Sequence, residues 1–192
     1  MSRILVIQYK MIGDVLVTSI LCENLKIAYP HAQIDYLVYE STLPVLMHND
    51  ENYHIIPFTD KQRNSKLELF KFAQQLRKNN YDIIIDAYSK LESWAVVAMS
   101  NAHTKISFKK GYIDFLYTHC IERHQIPTSN LGLTIEQRLN LLTPLGISSP
   151  NIKTPTLKVS PQEKEQADQF LKLHNVNKNI PLVMVSVLGS SL

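Results

Sequence analysis

The chain has 192 residues, 45% of them apolar, and a formal net charge of +3, enough for one α/β domain or for one domain and part of another. This composition excludes wholesale disorder. The mild charge, with no arginine-rich run or stacking-aromatic motif, gives no support to a nucleic-acid partner.

Ile4–Ile7 is a short apolar run of the kind that forms a strand buried on both faces. A polar turn, Gln8 to Gly13, leads to Asp14, which opens an amphipathic helix carrying Leu16, Val17, Ile20, Leu21 and Leu25 and stopping at Tyr29 and Pro30. Ile34–Val38 reads as a second strand, completing a βαβ unit with parallel strands and a right-handed crossover. Then come a short helix over Thr42–Met47, a strand at His54–Pro57, an amphipathic helix over Lys66–Lys78 and a buried strand over Tyr81–Asp86. Leu91–Met99 carries a helical pattern, Thr104–Phe108 a strand, and Thr134–Leu145 a helix with Gly146 at its end.

Strands and helices alternating in this way predict an α/β fold, a Rossmann-like doubly wound parallel sheet, over residues 1–150. The segment from Gly146 to Pro161, with Pro150, Pro155 and Pro161 and little periodicity, supplies a linker at 151–160. Residues 161–192 then read as the incomplete beginning of a second domain. It has a charged helix over Pro161–His174 capped by Ser160, a buried strand over Leu182–Val187, and the loop residues Gly189, Ser190 and Ser191.

Cys22 and Cys120 stand far apart without metal-ligand or redox spacing and read as reduced thiols of a cytoplasmic protein. No signal peptide is expected, because the run Ile4–Ile7 is too short, and no apolar stretch reaches the length of a membrane span. The seven histidines show no paired ligand spacing, so no metal is expected.

The turn after the first strand lies where open α/β sheets bind ligands. It lacks the glycine pattern of a dinucleotide site and the Gly-Lys-Ser/Thr of a P-loop. Asp14 admits two readings: a carboxylate that accepts orphan backbone N–H groups at a helix start, or a general base for a substrate hydroxyl. Lys10 is either a solvated lysine or the holder of an anionic group, and Gly13 permits a tight turn or close backbone approach. Ser190 and Ser191 are turn residues or phosphate contacts. Asp86 ends a strand at the same edge and reads as a turn or cap residue, and Trp94 as core. Lys109, Lys110 and Tyr112 form a solvated face or a contact with an anionic glycolipid or membrane surface.

Residues 4–20, with their hydrophobic strand, polar turn, Gly13-Asp14 pair and apolar helix start, resemble the opening of the ADP-heptose:lipopolysaccharide heptosyltransferases. Ala28–Ile34, Tyr81–Asp86, Glu136–Gly146 and Val185–Ser191 resemble the same family in the same order. The resemblance implies a GT-B architecture, with an acceptor domain followed by a sugar-nucleotide domain, and an inverting, metal-independent transfer of heptose from ADP-heptose to the lipopolysaccharide core. By the same resemblance Asp14 is the general base, Lys10 and Gly13 line the acceptor site, and Ser190 and Ser191 touch the donor. The ADP-sugar is substrate and no cofactor is implied. The location implied is cytoplasmic, in peripheral contact with the inner membrane. Most of the donor domain would follow Leu192, so this truncated chain alone is expected to be inactive. Two alternatives are a non-catalytic glycan-binding module that keeps only the acceptor cleft, and an unrelated flavodoxin-like or response-regulator-like protein.

Overall fold

The computed structural model describes residues 2–48, 52–177, 180–183 and 185. It divides into two compact units, Met1–Lys158 and Val159–Leu192.

The first unit is built on six strands: β1 Arg3–Ile7, β2 Gln33–Tyr39, β3 His54–Phe58, β4 Ile83–Asp86, β5 Thr104–Phe108 and β6 His119–Ile121. All pairings are parallel, in the order β3-β2-β1-β4-β5-β6. This is the doubly wound Rossmann-like arrangement predicted from the alternation of elements. The helices are α1 Ile12–Ala28, α2 Asp60–Asn64, α3 Lys66–Arg77, α4 Leu91–Met99 and α5 Leu133–Asn140.

The period of two along each strand divides the core between the two faces of the sheet. Ile4, Val6, Tyr36, Val38 and Ile85 face the cluster that holds Val15, Ile20, Leu21 and Leu25 of α1 and Leu139 of α5. Leu5, Ile7, Leu37, Tyr39 and Ile84 face the opposite cluster, with Ala73 and Leu76 of α3 and Val96 and Val97 of α4. Each such leucine, isoleucine or valine gains about 1.5–3 kcal/mol by leaving water, and both faces are therefore closed by helices. Tyr36 buries its ring on the α1 side, where its hydroxyl donates to the Val15 carbonyl at 2.7 Å.

Several boundaries differ from expectation for local reasons. The helix expected to open at Asp14 begins at Ile12, which puts Asp14 in the third helical position. The helix expected over Thr42–Met47 is a 3₁₀ segment, Glu40–Val45, with Pro44 inside it. The helix expected over Thr134–Leu145 ends at Asn140 and resumes as a 3₁₀ turn, Thr143–Leu145, because Pro144 removes a donor. Gly146 closes that turn at φ 77°, the left-handed region that favours glycine. Neither α2 nor β6 was anticipated, since a five-residue helix and a three-residue edge strand are too short to show periodicity. Asn24 donates to the Ile152 carbonyl at 2.7 Å and accepts from the Ile152 N–H at 3.0 Å, which ties the chain around residue 152 to α1.

In the second unit, α6 spans Pro161–Leu173. Ser160 accepts from the Glu163 N–H at 3.1 Å and its own N–H donates to the Glu163 carboxylate at 2.6 Å. Leu182, Val183 and Val185 are exposed and lie in no strand, contrary to the strand expected over Leu182–Val187, whose other positions lie outside the described residues. A strand needs a neighbour for its backbone donors and acceptors, and among the described residues these three pair with none.

Candidate functional site

In this strand order the chain changes direction between β1 and β4, and the C-terminal ends of the strands beside such a switch are where open α/β sheets bind ligands. The turn after β1 is anchored from below. Gln8 N–H donates to the Leu37 carbonyl at 3.0 Å, and the Gln8 side chain donates to the Lys10 carbonyl at 2.5 Å. Tyr9 is fully buried and stacks on Phe58 at 4.4 Å and on Tyr39 at 5.4 Å, with Tyr88 edge-on at 5.1 Å. Burial above all, then the nearby Asp86 charge, pushes the Tyr9 hydroxyl well above its ordinary pKa, so this ring serves as a neutral wedge.

Held on that wedge, Lys10 carries its ammonium 5.6 Å from the centre of the Tyr39 ring. Arg63 approaches the Tyr39 ring at the same distance, 5.6 Å. A cleft of about 230 Å³ opens here, lined by Tyr39, Glu40, Ser41, Phe58, Asp60 and Arg63.

Asp14 stands in the first turn of α1, just beyond the C-terminal end of β1. One carboxylate oxygen faces the Met11 N–H at 3.4 Å, a long version of the contact expected of a residue at a helix start. The other faces Arg138 of α5 at 3.4 Å. Asp14's side chain is 40% exposed and Arg138's only 9%. Arg138 is itself held: its Nε donates to Thr18 Oγ1 at 2.8 Å, and its guanidinium lies 5.5 Å from the centre of the Phe108 ring. Burial lowers the Arg138 pKa, with Asp14 and then Tyr36 acting in the opposite direction, and a guanidinium stays charged throughout.

Arg123 lies over the same ring at 4.1 Å and feels Asp14. Burial lowers its pKa, and among the described residues it has no hydrogen bond or ion pair. The loop that carries Arg123 is fastened further along, where Glu136 accepts from the N–H groups of Thr128 at 2.7 Å and Ser129 at 2.6 Å and from both their hydroxyls. The arrangement is a water-accessible carboxylate with a guanidinium nearby that rests on the Phe108 ring and, among the described residues, makes no hydrogen bond or ion pair.

The other sequence candidates fall as follows. Gly13 sits inside the first turn of α1, without a left-handed φ, and a Cβ placed there would meet nothing within 4 Å. The tight turn expected at Gly13 is therefore absent, and no protein atom demands a glycine. Asp86 is fully buried and used up locally. It accepts from the N–H groups of Ser89 at 2.7 Å and Tyr88 at 3.1 Å and from the Tyr117 hydroxyl at 2.7 Å. Desolvation raises its pKa, and these bonds oppose that rise. Asp86 is thus the turn residue it was read as. Lys109 pairs with Glu122 at 2.7 Å, while Lys110 donates to the Ser89 carbonyl and lies 5.8 Å from the centre of the Trp94 ring. Ser190 and Ser191 lie outside the described residues. No group of three His, Cys, Asp or Glu side chains among the described residues is arranged to hold a metal. No described helix is long and apolar enough to cross a membrane.

Sequence reasoning missed Arg138, Arg123, Thr18 and Phe108. An arginine in a helical pattern reads as a solvated position, and only the packing of α5 on α1 shows where this one points.

Residues 69–186 match the model of glycosyltransferase family 9 (heptosyltransferase). The chain is 28% identical over 174 residues to lipopolysaccharide heptosyltransferase 3 of Escherichia coli, an alignment that takes in 89% of this chain and 51% of the relative. Among solved structures, a family 9 glycosyl transferase from Veillonella parvula DSM 2008 superposes with a TM-score of 0.76 at 20% identity, over 92% of this chain and 50% of that one. The E. coli heptosyltransferase WaaC with ADP-2-deoxy-2-fluoro heptose gives a TM-score of 0.62 at 21% identity, over 78% of this chain and 50% of that one. The chain thus spans about half the length of these relatives.

Proposed function

Because this chain belongs to glycosyltransferase family 9, the heptosyltransferase family, we propose that it forms the acceptor side of an inverting heptosyltransferase acting on the lipopolysaccharide core. Its relatives supply the substrate class: one is called a lipopolysaccharide heptosyltransferase, and another was solved with an ADP-heptose analogue. A GT-B enzyme of this kind places the acceptor domain opposite a donor domain. Ser190 and Ser191 would then touch the donor diphosphate. The working place would be the cytoplasmic face of the inner membrane.

The observation that carries this reading is Asp14, half-exposed at the C-terminal edge of β1, with Arg138 fixing one oxygen. In the reaction the acceptor hydroxyl donates its hydrogen to the Asp14 carboxylate. As the hydroxyl oxygen forms its bond to the anomeric carbon, the proton passes to Asp14 and the bond to the leaving diphosphate breaks, with inversion. Arg138, already bound to Thr18, orients the carboxylate. Arg123 and Lys10 hold anionic groups of the acceptor. The open space over Gly13 admits the acceptor close to the helix start.

The leaving diphosphate needs stabilising groups that the acceptor side does not supply, so the chain by itself binds acceptor and transfers little or no sugar. The test is transfer from ADP-heptose by the complete gene product, with acceptor binding measured alongside. Asp14→Asn is expected to abolish transfer and retain acceptor binding, whereas Arg123→Ala weakens binding. Wild-type turnover in the Asp14→Asn protein would remove the base assignment.

A further inference from the structure

Three consecutive residues of α5 reach three different places. Ile135 and Leu139, four positions apart, seat this helix on the core. Successive side chains turn by about 100° around a helix, so seating that face also fixes the directions of Glu136, Gln137 and Arg138. Glu136 reaches the far part of the loop between β6 and α5, where its two oxygens accept from the N–H groups and hydroxyls of Thr128 and Ser129. Gln137 reaches the near part and donates to the His124 carbonyl at 2.8 Å. Arg138 reaches α1, where it meets Thr18 and Asp14.

The loop depends on such ties. Residues 122–130 lie in no helix or strand and are all exposed, and Ile126 is 76% exposed, so burial does not hold this segment. Each Glu136 oxygen takes two hydrogen bonds, which fills the accepting capacity of a carboxylate, and bonds to an ionised acceptor are the stronger kind. The Gln137 bond falls on the residue next to Arg123. Arg123 lies over the Phe108 ring at 4.1 Å, Arg138 approaches the same ring at 5.5 Å, and Arg123 feels the Asp14 charge. Phe108 is fully buried at the end of β5, a fixed platform for both. One helix thus governs Asp14 through Arg138 and Arg123 through the loop.

We propose that Glu136 and Gln137 are positioning residues, which hold Arg123 over Phe108, beside Asp14, ready for an anionic group of the acceptor. Neither touches the acceptor. The purpose given to Arg123 rests on the acceptor-binding role proposed for it above, whereas the hold of α5 on Arg123 does not. Without the Glu136 clamp, a loop that keeps Arg123 in place about a tenth of the time binds acceptor about tenfold more weakly. The loss stays within that of Arg123→Ala, because Glu136 acts only through this guanidinium.

The chain has five arginines, few enough for each side-chain Cδ–Hδ signal to be resolved by NMR, with Arg123→Ala identifying the one in question. In the native chain the Phe108 ring shifts that signal upfield. Glu136→Gln is expected to return it to the position of a free arginine, and Gln137→Ala to move it part of the way. Affinity for deacylated lipopolysaccharide core oligosaccharide, measured by calorimetry, is expected to fall about tenfold in Glu136→Gln. Adding Glu136→Gln to Arg123→Ala should then cause no further loss. A Glu136 that serves stability alone lowers the urea midpoint and leaves the Arg123 signal in place, and that result overturns the proposal. A loss of affinity that persists in the Arg123→Ala background overturns it too. Should Glu136→Gln fail to fold, the partly exposed Gln137 decides the matter through Gln137→Ala and the same two readings. A native chain that does not bind the oligosaccharide overturns the acceptor reading and the purpose given to Arg123 with it. An unmoved Arg123 signal in a chain that does bind overturns the positioning alone.

Discussion

Replacing Arg138 with methionine tests the link between α5 and the candidate base. Methionine keeps much of the apolar stem, so the change isolates the guanidinium. Three contacts disappear: the bond to Thr18 at 2.8 Å, the ion pair to Asp14 at 3.4 Å, and the approach to Phe108 at 5.5 Å. The first is a buried charge-assisted bond, about 1.5–3 kcal/mol. The second is long, single and half-exposed, about 0.2–1 kcal/mol. The third adds about 0.5–1 kcal/mol. Against these stands the relief of a buried charge, since Arg138's side chain is only 9% exposed. The net expectation is a loss of about 1–3 kcal/mol. Asp14→Asn, which leaves a carbonyl facing the guanidinium, is expected to cost about 1 kcal/mol. Both changes weaken the same contact, so the double variant should be more stable than the sum predicts by about 0.2–1 kcal/mol. Urea unfolding followed by Trp94 emission measures all three proteins. Strict additivity, or a stabilised Arg138→Met, would refute the reasoning that this pair holds Asp14.

Other outcomes follow from groups farther from the base. Glu136 has its pKa lowered, first by the Ser129 hydroxyl and then by the Thr128 N–H. A depressed folded value means that its contribution is present above the unfolded carboxylate value, about 4.3, and is lost as pH falls through the folded one. Protection of the Thr128 and Ser129 amides against hydrogen exchange should therefore fade in acid, and at neutral pH in Glu136→Gln; acid-independent protection would contradict it. Asp86 has the opposite shift, raised chiefly by desolvation, so protonation favours the fold as pH falls through that raised value. Asp86→Asn, which can accept from Ser89 and Tyr88 and donate to Tyr117, should cost under about 1 kcal/mol, whereas Asp86→Ala should cost about 2–3 kcal/mol. Thermal melts that rank the two equally would count against this account. Gly146→Ala, at φ 77°, should cost about 1–2 kcal/mol by forcing a Cβ into the left-handed region, and a neutral result in the same melts would show that the turn relaxes.

The parallel sheet was legible because buried strands and amphipathic helices impose different periods on one chain. Ile4–Ile7 and Tyr81–Asp86 stood out as strands and Leu91–Met99 as a helix, with boundaries within two residues of those found. The turn carrying Lys10 and Asp14 was equally visible, because a polar turn after a buried strand has one place to lie in an open α/β sheet. The short elements α2 and β6 were not, since neither completes a period.

Local pattern alone therefore determined the layers of this protein, the edge that would bind ligand and the carboxylate standing on it. The strand order belonged to the tertiary structure, and so did the company Asp14 keeps. Arg138 reaches it across 124 positions of chain, and Arg123 arrives from a loop fastened by Glu136. Such contacts leave no periodic trace, because they depend on how α5 packs against α1. Exposure was decided in the same way: Phe115 is a large apolar residue, yet the turn that holds it leaves it exposed.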